Sequence, residues 1–428
     1  VIVAALLFVV ACDSVRVCAG GDVTLGTNLD STWGRIATGV AKGNWRAALI
    51  PADSLISPLR PLFSNADIAL VNAEGAFGDD SVSDDKCSLR VRLRRNAHAV
   101  GHVATGARTR KRPKAEAQAA KPPSAHCFVL RQPASAAAAL RKLGDSSTVV
   151  VANVANNHAH DAGDDGFLHS VHLLHQAGLL VTGADTMPTL AVTKRGDTVA
   201  VLGFSAWSSP GVGDLAAVSR LVAAAHARYG RVIVTAHMGA EGASAQRIGD
   251  STEHFVGEDR GNPVAFAHAA IDAGAWLVIG HGPHVLRAAE WRDSALVFYS
   301  LGNLVNYGPF NLAEPRNSGV VVCATLDSAG APVNVMVEPT TQVSEGMVRS
   351  DSARRARVLL DSLSGLDFPS TGATVDSTGA VRRRAVSSAP VSPAPTDSLP
   401  TSPRPSVPDE PPATASRAAR WGDRAGSR

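Results

Sequence analysis

Short apolar runs separated by polar turns recur from Val15 to about Glu345. Runs such as VRVCAG, IALV, VVVANV, VAVLGF, VIVTA, WLVI and VVVCATL alternate with Ala-, Leu- and His-rich stretches. Runs that are apolar at nearly every position predict strands buried on both faces, as in a sheet covered by helices. Strands are predicted at Val15–Gly20, Ile68–Val71, Val149–Val154, Val199–Phe204, Val232–Ala236, Trp276–Ile279, Leu296–Ser300 and Val320–Leu326. Helices are predicted at Gly166–Ala177 and Pro263–Ala273, stopped by Gly178 and Gly274, and at Leu215–Tyr229. Residues 15–345 therefore read as one α/β domain, with no internal repeat.

Elsewhere the periodicity fails. Residues 88–126 have no steady apolar spacing, and residues 86–121 hold eleven Lys and Arg against one acid, Glu116. This is read as a solvated basic inserted loop, or as a contact for an anionic polymer or lipid surface. Residues 346–386 read as a variable C-terminal extension. Residues 387–428 are rich in Pro, Ser and Arg and predict a disordered tail. The formal charge of +3 therefore hides an acidic core with basic appendages.

Residues 1–14 read as a targeting segment, since VIVAALLFVVA has the length of a signal-peptide apolar core. Cys12 follows Val9-Val10-Ala11, a sequence that resembles a lipobox. The expectation is an exported protein of the cell envelope or membrane-anchored, with Cys12 a candidate lipid attachment site; a cleaved signal or a buried first strand are the alternatives. No run of about 18 to 20 uncharged apolar residues predicts a membrane-spanning helix. Of five cysteines, Cys87 and Cys127 flank the basic segment and a bridge between them would tie its ends. Cys18 and Cys323 lie in strand-like runs and are read as buried spectators.

The chemistry collects where apolar runs end. VRVCAGGD ends at Asp22, ADIALVNAE at Asn72 and Glu74, VVVANVANNH at Asn156, Asn157 and His158, RVIVTAH at His237, and WLVIGHGPH at His281 and His284. Function in open α/β sheets lies outside the carboxyl ends of the strands, so these ends would share one rim. Mixed oxygen and imidazole donors suit one or two divalent ions, Mn, Fe or Zn. No nucleophile elbow, Walker loop or dinucleotide GxGxxG is present. The basic insertion has no interleaved aromatics, so nucleic acid is not an expected partner.

The blocks GGDVTLG, NAEGAF, VANVANNHAHDAGDDG, TAHMGAEG, IDAGAWLVIGHGPHVLRAAE and YSLGNL, in that order, resemble the CapA-type poly-γ-glutamate (capsule) synthesis family, within the calcineurin-like metallophosphoesterase superfamily. The resemblance implies an αββα metallophosphoesterase-like sandwich with a metal centre at the strand ends. Asp22, Glu74, Asn157, His237 and His284 would be ligands, with His281 a further candidate. His158 would face the substrate as charge stabiliser or proton donor. Asp161 would either orient His158 or cap the following helix.

The chain departs from the pattern in three places. Thr24 stands where the superfamily's Asp-x-His opening has His, Gly282 where many relatives have His, and Met238 where relatives often have Trp. A Gly282→His substitution is expected to be tolerated, with altered metal affinity. His169, His172 and His175 are read as surface histidines, and Glu241 as a loop acid or a base within reach of the site. Ser300 and Asn303 are expected to shape the neighbouring loop.

The implied function is synthesis, export or anchoring of an anionic envelope polymer of poly-γ-glutamate type, by metal-assisted hydrolysis or transfer. The membrane and other capsule-synthesis proteins are the expected partners. The alternatives are a metallophosphoesterase for a small phosphoester and a non-catalytic polymer-binding component.

Overall fold

A computed structural model describes residues 14–26, 49–78, 129–308, 310–343 and 346–384. The expectations for residues 1–13, 88–126 and 387–428, and for Cys12, Cys87 and Cys127, lie outside the described residues.

The chain builds two sheets in turn. It enters the larger with β1 (Val15–Leu25), β2 (Ile68–Ala73), β3 (Val149–Asn153) and β4 (Leu180–Thr182), all running parallel. It crosses to the second with β5 (Thr189–Val192), β6 (Thr198–Ser205), β7 (Val232–His237), β8 (Leu277–His281), β9 (Ala289–Arg292) and β10 (Ala295–Phe298). It returns to the first with β11 (Asn303–Tyr307), β12 (Ser318–Leu326), β13 (Pro332–Val343) and β14 (Met347–Ser350). The larger sheet has the order β14-β13-β12-β1-β2-β3-β4, with β11 also pairing β1; the second has the order β9-β10-β8-β7-β6-β5.

Alternation along the strands fixes the layers. In β1 and β2, Val15, Val17, Ala19, Ile68 and Leu70 face the second sheet, packing with Val199, Val201, Ile233 and Ile279 in one core. The residues between them, Cys18, Ala69 and Val71, face the other way. There they meet α1 (Ala52–Ile56), a 3₁₀ segment (Ser57–Phe63), α2 (Ser135–Leu140) and α3 (Gly163–Gln176), through Leu55, Leu59, Phe63, Leu140 and Leu174. The far side of the second sheet is covered by α4 (Leu215–Tyr229) and α5 (Pro263–Asp272), through Val218, Val222, Phe266 and Ala270. The result is the expected αββα sandwich. Each fully buried aliphatic side chain stabilises it by roughly 1.5–3 kcal/mol.

The helix expected at Leu215–Tyr229 has those bounds, and α5 stops before Gly274, whose φ is 108°. Residues 346–384 contribute β14, then α6 (Arg355–Asp367), then the hairpin β15 (Ala373–Val375) and β16 (Val381–Arg383).

Two expectations are corrected. β1 does not end at Gly20. It continues to Leu25 by exchanging neighbours, pairing β12 antiparallel through residues 15–19 and β11 in parallel through residues 22–25. Asp22 therefore sits inside a strand, at the irregularity where the partner changes. Cys18 and Cys323 are not spectators either. They lie opposite each other in the β1–β12 register and form a disulfide across 305 residues of sequence.

A cross-link closing so long a loop restricts the unfolded chain, and removing one typically costs about 2–5 kcal/mol. The double variant Cys18→Ser/Cys323→Ser is expected to unfold at lower urea, by about that amount. Added reductant should shift the wild type toward the variant and leave the variant where it is.

Candidate metal centre

The parallel strands of both sheets bring their carboxyl ends to one rim. Glu74 follows the last residue of β2, and His237 and His281 close β7 and β8, paired in register. His284 stands three residues further, on a loop with positive φ at Gly282 (108°) and at His284 itself (56°). A non-glycine residue in that region is costly, by roughly 1–3 kcal/mol, and is typical of functional loops.

Asp22, Glu74 and His284 each offer a ligand atom within 4.8 Å of the others. Both carboxylates are wholly buried. His284 Nδ1 lies 3.3 Å from Asp22 Oδ2, and its Nε2 lies 3.5 Å from Glu74 Oε1. Asn303 anchors the ring, since its Oδ1 lies 2.9 Å from His284 Nδ1 while its Nδ2 donates to the carbonyls of His284 and Arg316. His284 thereby directs its Nδ1–H toward Asn303 and turns Nε2 to Glu74.

Two of the remaining expected ligands, His281 and His237, flank Asp22. His281 Nε2 shares a hydrogen bond of 2.9 Å with Thr235 Oγ1, and its Nδ1 lies 4.0 Å from Asp22 Oδ1. His237 Nδ1 lies 4.0 Å from the same oxygen. Several donor atoms are buried with no hydrogen-bond partner among the described residues: both oxygens of Glu74, Asn157 Oδ1, His237 Nε2 and His281 Nδ1. Orphaned buried polar atoms are costly. Here they belong to residues of the types that ligate divalent ions, so the donor set fits such an ion.

One structural residue was named in the sequence without a role. Asn72 donates from Nδ2 to Asp22 Oδ1 at 2.8 Å, and the same nitrogen lies 3.1 Å from His237 Nδ1. Its Oδ1 accepts from Asn153 Nδ2 and Asn156 Nδ2. Amide donation to His237 Nδ1 leaves that ring's proton on Nε2. The signal was an Asn inside each of two apolar runs, IALVNA and VVVAN, which the β2–β3 register sets side by side.

His158 is almost buried, with Nδ1 2.7 Å from Asp161 Oδ2 and Nε2 4.0 Å from Glu74 Oε1. The same Asp161 oxygen accepts from Leu130 N at 2.6 Å. α3 begins after Ala162 with no side-chain cap, so Asp161 orients His158 rather than capping the helix. His169, His172 and His175 are exposed on α3.

Glu241 is not a solvated loop acid. One oxygen pairs with Arg260 Nη1 at 2.8 Å and the other lies 4.0 Å from His284 Nε2. Arg260 is itself buried and stacks over Trp207, 4.4 Å from the ring centre. Gly282 also differs from expectation. A β-carbon there would lie 3.0 Å from the His237 ring at a φ of 108°, so Gly282→His would strain the loop and crowd His237.

The charges are interlocked. Burial alone would raise Asp22, but its hydrogen bond to His284 and the nearby His284, His237 and His281 hold it well below the usual carboxylate range. Glu74 is pushed up to about 8, chiefly by burial and further by Asp22, Glu241 and Asp161, against the pull of His284. Burial lowers His237 well below its ordinary value, and His281 to about 4, in both cases against Asp22. Burial opposes the charge on His284, yet Glu74, Asp22 and Glu241 raise its pKa well above the ordinary value. The His284 imidazolium thus acts as the counter-charge of the two carboxylates.

Residues 113–307 match the family described as bacterial capsule synthesis protein PGA_cap. The resemblance to the CapA-type capsule synthesis family holds over that stretch. Within it lie Asn157, His158, Asp161, His237, His281 and His284; Asp22 and Glu74 precede it in sequence and meet His284 through the fold. The PGA biosynthesis protein CapA of Bacillus subtilis (strain 168) is 30% identical over 172 residues, 36% of this chain and 42% of that protein. The capsule biosynthesis protein CapA of Bacillus anthracis is 29% identical over 175 residues, 36% of this chain and 39% of that protein. This chain thus matches about two fifths of each relative's length.

Among solved structures, the NAD nucleotidase of Haemophilus influenzae overlays with a TM-score of 0.34 and 11% identity, over 82% of this chain and 55% of that one. A 5'-nucleotidase precursor from Thermus thermophilus overlays with a TM-score of 0.33 and 13% identity, over 83% of this chain and 59% of that one.

With His284 raised and Glu74 near 8, both groups hold protons near neutrality when no ion is bound, and both must release them to ligate. Affinity of the chelated protein for Mn²⁺ is therefore expected to rise with pH through about pH 8. Calorimetry in buffers of different ionisation enthalpy at pH 7 should report net proton release. Uptake without release would show that neither group ligates.

Proposed function

We propose that this protein is an exported, metal-dependent enzyme of CapA type that cleaves or transfers ester or amide bonds in an anionic envelope polymer of poly-γ-glutamate kind. The observation that carries the reading is the convergence of Asp22, Glu74 and His284 in a buried cluster ringed by unpartnered donor atoms. The names of the two Bacillus relatives support the polymer. The Cys18–Cys323 disulfide supports an oxidising, extracytoplasmic compartment.

In this reading Asp22, Glu74 and His284 hold one or two divalent ions, Mn, Fe or Zn, with Asn157, His281 and His237 completing the set. A bound ion there supplies Lewis acidity and lowers the pKa of a coordinated water. The chain's own residues do the rest. Asn72 fixes Asp22, Asn303 fixes the His284 ring, and Thr235 fixes His281 so that Nδ1 faces inward. Asp161 holds His158 by Nδ1 and leaves Nε2 turned toward Glu74. From that atom a proton passes to the leaving group, the role of a general acid. The basic insertion 88–126 would track the acidic polymer, and Cys12 would hold the protein at the membrane beside other capsule-synthesis proteins.

Glu74→Ala and His284→Ala are each expected to lose most bound metal, measured by elemental mass spectrometry of the purified chain. His158→Ala should keep its metal and lose about 10²–10⁴-fold in turnover of a γ-linked glutamate chain. Turnover of an aryl phosphate but no glutamate chain would replace the polymer reading with a small phosphoester. Retained polymer binding with no turnover of either would leave a binding component.

A further inference from the structure

The geometry points to Arg316 as the residue that receives a carboxylate of the substrate beside the metal centre. This deepens the reading above and rests on it for the chemical class of the ligand.

Arg316 precedes β12 and is half-buried. Its backbone is held at both ends, with N donating to Ala313 O at 2.9 Å and O accepting from Asn303 Nδ2 at 3.1 Å. The same Asn303 side chain positions the His284 ring. The guanidinium lies against the bare backbone of Gly242, where a β-carbon would sit 3.4 Å from Arg316 Nη2. Gly242 N in turn donates to the carbonyl of Pro283, the residue before His284, at 2.9 Å. Both the main chain and the side chain of Arg316 are thus tied to the loop that carries His284.

The guanidinium has no hydrogen bond or ion pair among the described residues. The acids nearest in sequence to its surroundings are engaged elsewhere. Glu241 is paired with Arg260 at 2.8 Å, and Glu314 faces Arg355 at 4.0 Å. A half-buried guanidinium without an acceptor among the described residues keeps its planar fork of donors available, which matches two oxygens of one anion. An acidic chain lying across this rim needs a further cation to seat a carboxylate that the metal site does not take. Arg316 supplies that cation, and a phosphate group would present the same paired oxygens.

The test uses the full chain with γ-linked pentaglutamate as the probe, with binding measured by calorimetry in Mn²⁺ and turnover measured separately. Arg316→Met should weaken pentaglutamate binding at least tenfold and Arg316→Lys less, with metal content and the thermal transition unchanged in both. A γ-linked pentaglutamate with its α-carboxylates amidated, lacking the charges, should bind the wild type as weakly as pentaglutamate binds Arg316→Met. Where turnover is seen, the loss should fall on KM rather than kcat. Binding lost in Arg316→Met with no turnover by the wild type would uphold Arg316 and sink the catalytic reading. If the wild type ignores pentaglutamate but Arg316→Met raises KM for an aryl phosphate, the anion is a phosphate and the carboxylate assignment is overturned. Equal pentaglutamate binding by wild type and Arg316→Met overturns the proposal outright.

Discussion

Two carboxylates buried side by side cannot both remain ionised without a cation between them. Asp22 and Glu74 impose that condition on the rim, and His284 meets half of it. One imidazolium offsets one carboxylate, so Asp22 stays ionised while Glu74 is driven toward its protonated form. The arrangement is costly as it stands, with unpartnered oxygens on Glu74 and a His in a left-handed backbone conformation. A divalent cation would remove both the charge excess and the unmet donor capacity. The positions of Asn72, Asn303 and Thr235 follow from the same condition, since each fixes one member of the cluster by a directed hydrogen bond.

The sandwich delivers these residues from distant parts of the chain. Asp22 and Glu74 arrive on the larger sheet, and His237, His281 and His284 on or just beyond the second. The disulfide lies four residues before Asp22 and ties β1 to β12. β12 follows directly from the segment carrying Asn303 and Arg316. The cross-link therefore steadies the strand that bears one buried acid against the segment that orients the opposing histidine.

The strand cores were legible because their residues are apolar on both faces, and α4 because its apolar spacing begins after Asp214, whose side chain caps it, and ends at Gly230. The ligand-type residues were legible because a polar side chain after an apolar run is conspicuous. What could not be read depends on pairing between remote segments. Gly20-Gly21-Asp22 looks like a turn until β11 is known to lie beside it, and the Cys18–Cys323 bond needs the β1–β12 register. Glu241 looks solvated until Arg260 is brought against it from nineteen residues away. The space at Gly282 is set by the His237 ring on the neighbouring strand, which no reading of the loop alone reveals.

The most direct test of the account is anomalous X-ray diffraction from crystals of the protein grown with Mn²⁺ or Zn²⁺. The account predicts an anomalous peak within about 2.0–2.2 Å of ligand atoms from Asp22, Glu74 and His284. A fully occupied ion elsewhere, with these three side chains unchanged and unliganded, would contradict it.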